Sequence, residues 1–164
     1  MKKIFIGIDP GKNGGIAVLD QDANVIDVTK MPDTPQDLLE ILESYKNDDS
    51  TSPERQVVCY LEKVGGMPGQ GGSAMFTFGR SYGHIEMALL ASEIPTYEIL
   101  PQRWQKHFSL SGSSITKSSN AEKREHKNRL KAKAQQLFPQ LGKKITLANC
   151  DALLIAEYGR ENNK

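Results

Sequence analysis

Apolar and polar residues alternate along the first 30 residues in three short runs separated by turn-forming residues. In residues 3–9 the isoleucines share one face, which is the two-residue period of a β-strand. Pro10-Gly11 and Asn13-Gly14 favour a tight turn, so residues 15–20 are expected to return antiparallel. A third strand is predicted over residues 24–30 after another polar turn.

The remainder of the chain alternates between helical and strand patterns. Further strands are predicted over residues 55–62 and 96–100, and helices over residues 35–45, 73–91, 102–108, 121–138 and 147–159. Three strands, a helix and then this alternation predict an α/β fold with one mixed five-stranded sheet. The 164 residues are enough for one domain and too few for two, so one domain over residues 1–164 is expected.

The charges are distributed unevenly, although the net charge is only +1. Residues 1–100 contain 8 Lys/Arg and 15 Asp/Glu, whereas residues 101–144 contain 11 Lys/Arg and 2 Asp/Glu. A basic segment in an otherwise acidic chain indicates a surface that binds a polyanion such as DNA. The alternative is an ordinary solvated helix face.

The basic helix predicted over residues 121–138 carries most of these charges. Its apolar side contains Leu130, Ala134, Leu137 and Phe138, and its wet side Arg124, Lys127, Lys131 and Gln135. The DNA-binding candidates in and before this helix are Lys117, Lys123, Arg124, Lys127, Arg129 and Lys131.

Three carboxylates occupy positions where a charge is unexpected. Asp9 ends the first strand on the face of Gly7, whose missing side chain would let a ligand or metal approach the sheet. Glu62 ends the apolar strand 55–62, and Asp151 lies on the apolar face of the last predicted helix. Each has an ordinary alternative: a turn-capping Asp, a strand-end Glu facing solvent, and an Asp paired with a lysine or capping its helix.

Together the three carboxylates are more specific than any one alone. Two strand ends and a helix packed on the sheet can bring them to one point, where a divalent cation would neutralise them. Mg²⁺ prefers oxygen ligands, and paired metals activate water for phosphodiester hydrolysis. Carboxylates for a metal and a basic surface for phosphates predict a nuclease.

The motifs around these residues resemble a known family. Gly7-Ile8-Asp9-Pro10-Gly11 with Gly15-Ile16-Ala17 resembles the first motif of the RuvC family of Holliday junction resolvases, within the RNase H-like nucleases. Tyr60-Leu61-Glu62-Lys63 and Asp151 to Ala156 resemble its second and C-terminal acidic motifs, and the order and spacing cover the whole chain. Residues 67–72 and 78–83 are most similar to resolvases of bacteriophages.

The resemblance implies a single RuvC-like nuclease domain with a five-stranded mixed sheet flanked by helices. It also implies a homodimer that cuts four-way and related branched DNA with Mg²⁺ or Mn²⁺, leaving a 5′ phosphate. Asp9, Glu62 and Asp151 carry over as catalytic metal ligands. The predicted helix over residues 73–91, with Phe78, Tyr82, Ile85 and Leu89 in line, is a candidate dimer interface.

One position departs from the family pattern. A fourth acidic or histidine ligand usually lies one helical turn before the last Asp, and here that position is Ala148. The site is therefore altered, or another residue completes it, for which His126 is the weaker candidate and Asn149 has the wrong helical offset. Altered ligation predicts higher activity with Mn²⁺ than with Mg²⁺.

Other functions are compatible with the same residues. Sugar kinases and actin-like ATPases share an Asp-x-Gly motif after the first strand, but they need two such domains. A nuclease for flaps, forks or RNA–DNA hybrids has the same fold, and a junction-binding protein that does not cut is compatible with Ala148. Four apolar residues are expected in the core, with DNA distortion or a dimer interface as alternatives: Met67, Met75, Phe76 and Phe78.

The cellular setting follows from simpler features. No apolar run approaches the roughly 18 residues that span a bilayer, and the N-terminus lacks a signal peptide pattern. Cys59 and Cys150 lie in apolar surroundings and are expected to be buried free thiols. The protein is therefore expected in the cytoplasm, which would be the host cytoplasm for a phage protein.

Overall fold

The structure is a computed structural model, and it describes residues 2–46, 55–65, 71–111 and 119–163. In chain order the elements are β1 (Lys2–Asp9), β2 (Gly15–Asp20), β3 (Val25–Lys30), α1 (Pro35–Lys46), β4 (Arg55–Glu62), α2 (Gly72–Ala91), β5 (Thr96–Ile99), α3 (Pro101–His107), α4 (Asn120–Leu137), a 3-10 helix (Pro139–Lys144) and α5 (Cys150–Asn162). The predicted elements are confirmed, and the largest boundary difference is α5, which begins three residues later than predicted.

The five strands form one mixed sheet in the order β3-β2-β1-β4-β5. β1 pairs antiparallel with β2 and parallel with β4, while β5 continues the sheet parallel to β4. β1 lies in the middle of the sheet, and its apolar run is buried on both faces, as expected for a strand that is covered on both sides. The prediction of a mixed five-stranded sheet flanked by helices is confirmed.

Two apolar layers cover the two faces of the sheet. One layer joins α1 and α2 to the strand residues on one face of the sheet, including Ile6, Cys59 and Leu61. The other joins α3, α4 and α5 to the strand residues on the opposite face, including Phe5 and Tyr60. Side chains alternate along a strand, so Asp9 lies on the same face as Phe5, and Glu62 on the same face as Tyr60. Both carboxylates therefore face the α3–α5 side.

α5 packs very closely on the centre of the sheet. A Cβ built on Gly7 would lie 2.2 Å from the Ala152 carbonyl oxygen and 2.4 Å from the Ala156 nitrogen. A Cβ on Gly159 would lie 2.3 Å from the Tyr60 ring. The small residues Ala152, Ala156 and Gly159 therefore let the helix dock, whereas the expected role of Gly7 is wrong. Gly7 makes room for the α5 backbone and not for a ligand.

A capping box begins α4, and both thiols are buried. Ser119 and Glu122 form a capping box at the start of α4, in which the Ser119 nitrogen donates to Glu122 Oε2 at 2.6 Å. Cys59 and Cys150 are both buried free thiols, as predicted. In the described ranges, none of the helices combines the length and apolar character that crossing a membrane requires.

Candidate active site

Three backbone elements bring the carboxylates to one edge of the sheet. Asp9 and Glu62 are the last residues of β1 and β4, and these strands are parallel neighbours. Their carboxyl ends therefore lie side by side. Asp151 lies in the first turn of α5, which packs across β1. The convergence expected from the sequence thus has a structural cause in the parallel pairing and the docking of α5.

The three carboxylates are buried and act on one another electrostatically. Asp9 and Glu62 are each 9% exposed and Asp151 is 7% exposed. Burial raises the pKa of Asp9 well above its usual value, and the charges of Asp151 and Glu62 raise it further. Burial likewise raises the pKa of Glu62 to about 7, assisted by Asp151. This concentration of negative charge would attract a cation.

Lys127 of α4 supplies a positive charge to this cluster. Its ammonium Nζ contacts Asp151 Oδ2 and lies 3.8 Å from Asp9 Oδ2. Burial lowers the pKa of Lys127, but the two carboxylates outweigh burial and leave the pKa raised. One of the alternatives for Asp151, pairing with a lysine, is therefore realised. One ammonium group balances only one of the three potential charges.

A second contact holds Glu62. The indole nitrogen Nε1 of Trp104 donates a hydrogen bond to Glu62 Oε1 at 2.9 Å, and the Trp104 side chain is fully buried. This bond favours the charged carboxylate and opposes the pKa increase caused by burial. The linear pattern of the chain did not identify Trp104 as part of the site. A buried Trp needs an acceptor for its N–H, which was a usable signal, but only the fold places α3 beside β4.

An open cleft of about 540 Å³ lies beside the cluster and is lined by Asp9, one of the three carboxylates. Asp9 and Lys127 line it, together with the β1–β2 turn. The cleft is also lined by Phe78, Leu147 and Ala148, and the Leu147 side chain is 43% exposed. The cleft thus places a carboxylate and an ammonium group beside apolar side chains.

Ala148 lies outside α5, which corrects the expectation that it occupies the same helix as Asp151. Residues 147–149 form a turn, and α5 begins at Cys150. Asn149 closes this turn, since its Oδ1 accepts from the Thr146 nitrogen at 2.8 Å and its Nδ2 donates to the Lys144 carbonyl at 3.0 Å. Asn149 is therefore structural, while Ala148 still lines the cleft.

His126 lies next to Lys127 and within electrostatic reach of Asp151. Burial lowers its pKa, and its Nε2 is buried with no hydrogen-bond partner in the part of the chain that the structure describes. His107 instead pairs with Glu161 on α5, with 2.5 Å between Nε2 and Oε2. His84 lines a separate pocket between α1 and α2.

The other DNA-binding candidates lie on α4 around Lys127. Lys123, Arg124 and Arg129 are exposed, and Lys131 is partly exposed. Lys117 lies outside the described residues. Lys127 was assigned to the wet side of the helix, but it also lies three residues before the buried Leu130, at the border of the apolar side. That offset was the signal for its inward position.

The donor set fits a hard divalent cation in its chemistry. All three acidic groups offer oxygen ligands, and their mutual repulsion would be relieved by a charge of +2. Among the described residues, however, no group of three or more His, Cys, Asp or Glu side chains is close enough to hold a metal as it stands. Lys127 lies between Asp9 and Asp151, so a bound cation would have to displace it from them.

Comparison with known structures places this geometry in a known fold. A structure titled "T. thermophilus RuvC in complex with Holliday junction substrate" matches with a TM-score of 0.58 and 18% identity, covering 95% of this chain and 91% of that one. A second Thermus thermophilus RuvC structure matches with a TM-score of 0.57 and 15% identity over 99% and 97% of the two chains. The RuvC-like, RNase H-like fold is therefore confirmed.

The sequence by itself yields no such match. No protein-family model matches the chain, and no curated protein does either. At 15–18% identity, the structural likeness shows the fold, and the activity has to be argued from the site.

Proposed function

We propose that this chain is a metal-dependent endonuclease that resolves four-way DNA junctions, with residues 1–164 as one RuvC-like nuclease domain working in the cytoplasm. The observation that carries the proposal is the burial of Asp9, Glu62 and Asp151 together at the carboxyl edge of the sheet. A fold does not need three mutually repelling carboxylates in one place, and their cost is explained if they bind a cation. A junction-bound RuvC shares this fold over nearly the whole chain.

The proposed ligands are Asp9, Glu62 and Asp151, and the proposed cation is Mg²⁺ or Mn²⁺. A divalent cation there would supply an activated water and stabilise the charge that develops on a phosphodiester. The chain's own groups bind and orient the substrate. Lys127 contacts the carboxylates from the α4 side and, once released from Asp151, would lie beside a phosphate in the cleft.

The exposed basic residues of α4 are proposed to hold the DNA backbone. The set is Lys123, Arg124, Arg129 and Lys131, with Lys117 proposed from the sequence alone. Lys123, Arg124 and Lys131 lie three or four residues from Lys127 and share its side of α4, whereas Arg129 lies two residues away, on another side of the helix. Phosphate contacts of this kind fix the position of DNA without reading its sequence. This arrangement separates binding by α4 from cutting by the carboxylates.

A homodimer is proposed because paired cuts in a two-fold junction need two sites. Of the predicted interface residues, Ile85 and Leu89 belong to the core. The opposite face of α2 is a better candidate, because Phe76, Met87 and Leu90 are 73%, 60% and 69% exposed on it. Gly79 and Gly83 share that face, and a Cβ on either would meet nothing within 4 Å, which leaves space for a second helix.

The dimer proposal is tested by light scattering with and without junction DNA. Gly83→Leu fills the space between the exposed apolar residues and is expected to yield monomers, while Glu40→Leu on α1 adds the same side chain to another exposed helix position and should leave the dimer intact. A wild-type protein that remains monomeric with junction DNA contradicts the dimer.

The activity is tested by incubating labelled four-way junction, fork, flap and linear duplex with Mg²⁺, Mn²⁺ or EDTA. We expect metal-dependent cutting with a preference for the four-way junction. Asp9→Asn, Glu62→Gln and Asp151→Asn should each abolish cutting and preserve junction binding. Preference for forks, flaps or hybrids would establish the related nuclease instead. Tight junction binding without cutting under any metal would establish a non-cleaving binding protein, the alternative that Ala148 keeps open.

A further inference from the structure

The single tryptophan of the chain is connected to the candidate active site. Trp104 is 0% exposed and lies in the apolar layer between the sheet and α5. Its indole N–H nevertheless reaches a carboxylate, with 2.9 Å between Nε1 and Glu62 Oε1. A core Phe or Leu would fill the same layer without a polar atom, so the indole contributes something beyond packing.

The C-terminal end of α3, the helix that carries Trp104, is held by contacts with α5. α3 begins at Pro101, and its last residue, His107, pairs with Glu161 of α5. The His107 ring also meets the Tyr158 ring edge-on, with 5.3 Å between centroids. α5 is the helix that carries Asp151, so the indole has a set position relative to both the strand of Glu62 and the helix of Asp151.

The Trp104–Glu62 bond differs in kind from the contacts of Lys127. An indole N–H is neutral, so it orients a carboxylate without cancelling its charge. The bond engages Oε1 and limits rotation of a side chain that would otherwise lose rotamer freedom when it binds a ligand. Oε2 is then the atom that Trp104 leaves available to a cation.

We propose that Trp104 is a positioning residue that holds the Glu62 carboxylate in the orientation needed to bind a divalent cation. The inference rests on the proposed function in one respect, namely that Glu62 is a metal ligand. The hydrogen bond can be tested separately from the metal. Hydrogen-bonding partners of metal ligands typically influence metal affinity by roughly 10- to 100-fold, which sets the expected size of the effect.

The first experiment uses the indole resonance, which is unambiguous because the chain has one tryptophan. A ¹H–¹⁵N correlation spectrum of the full-length protein should show one indole peak that moves upon Mg²⁺ titration. Glu62→Gln, which replaces the charged acceptor by a neutral one, should shift this peak in metal-free protein. An indole peak that does not respond to Glu62→Gln overturns the proposal, whatever the metal does.

The second experiment measures Mn²⁺ affinity by calorimetry. Trp104→Phe keeps an aromatic ring and removes the N–H, and we expect roughly 10-fold weaker Mn²⁺ binding. Phe108→Leu removes volume from the same apolar layer and should leave the affinity unchanged. Circular dichroism verifies that both variants are folded. If Trp104→Phe does not fold, the Glu62→Gln spectrum decides alone.

The possible failures are distinguishable. Wild-type protein that binds neither Mg²⁺ nor Mn²⁺ and cuts no junction refutes the proposed function, and with it the metal-binding role of Glu62. Wild-type protein that binds Mn²⁺ while folded Trp104→Phe binds it equally well refutes the positioning role alone. Equal weakening by Trp104→Phe and Phe108→Leu assigns the effect to packing and also refutes positioning.

Discussion

The buried carboxylates predict an unusual pH dependence of stability in metal-free protein. The folded-state pKa of Glu62, about 7, lies above its ordinary value of 4.5. Between these values the folded state therefore binds more protons than the unfolded state. Stability is greatest below the unfolded pKa and is lost as pH rises through the folded pKa. Raising the pH from 5 to 8 in EDTA should destabilise the protein.

The magnitude follows from the size of the shift. Each pKa unit corresponds to about 1.4 kcal/mol, so Glu62 contributes up to about 3 kcal/mol across this range. Asp9 acts in the same direction because its pKa is also raised. His126 acts in the opposite direction because its pKa is lowered. The difference between wild type and Glu62→Gln therefore isolates the contribution of Glu62 better than the total change in wild-type stability.

The assay is urea unfolding at pH 5, 6, 7 and 8, followed by Trp104 fluorescence. With a slope of about 1–3 kcal/mol per molar urea, the Glu62 contribution should move the midpoint by about 1 M or more. Glu62→Gln does not titrate, so its stability should depend less on pH. Saturating Mn²⁺ should stabilise the wild type more at pH 8 than at pH 5, because protons compete with the cation.

Two results would refute this reasoning. The first is a metal-free wild type whose free energy of unfolding, measured relative to that of Glu62→Gln, rises from pH 5 to 8. The second is a Glu62→Gln variant whose free energy of unfolding depends on pH in the same way as that of the wild type. Either result would mean that Glu62 is solvated or fully neutralised by its neighbours, and the electrostatic argument for a cation would lose its basis.

Three further predictions concern packing, DNA binding and metal choice. Gly7→Ala forces a Cβ against the α5 backbone and should lower the free energy of unfolding in urea by about 3 kcal/mol or more. Gly72→Ala, where nothing lies within 4 Å, should be nearly neutral. A Gly7→Ala variant as stable as the wild type contradicts the close packing of α5. Neutralising Arg124 and Lys131 together should weaken binding to all DNA. It should also reduce the slope of log binding constant against log salt concentration by roughly two units. An unchanged slope would mean that this face of α4 is merely solvated. Cleavage should be faster with Mn²⁺ than with Mg²⁺, and Ala148→Asp, in the lining of the cleft, should raise the cleavage rate with Mg²⁺. If the wild type already reaches its full cleavage rate at low Mg²⁺ and the substitution lowers that rate, the metal site is already complete.

Much of this molecule was determined by local sequence patterns. Apolar patterns predicted the strands, and the burial of Cys59 followed from its apolar neighbours. These features depend on residues close in the chain, so a linear pattern contains them. The three carboxylates were also found from sequence, because a charge among apolar residues is visible without a fold.

The positions that required the tertiary structure involve contacts between distant residues. Lys127 belongs to the carboxylate cluster because α4 lies against α5, and Trp104 reaches Glu62 because α3 folds back beside β4. Neither contact leaves a periodic signal in the chain. Lys127 also lies at the border between the two sides of its helix, where periodicity does not decide the direction of the side chain.

Ala148 and Gly7 also show that a linear pattern does not reveal which parts of the chain come into contact. Their expected roles assumed a helix through residue 148 and an open face beside Gly7, and the sequence was compatible with both. The fold instead closes a turn through Asn149, so that α5 begins at Cys150, and it places the α5 backbone where a ligand was expected. The chain determined which groups could carry chemistry, and packing between helices and sheet decided which of them meet, because contact energies depend on distances in space.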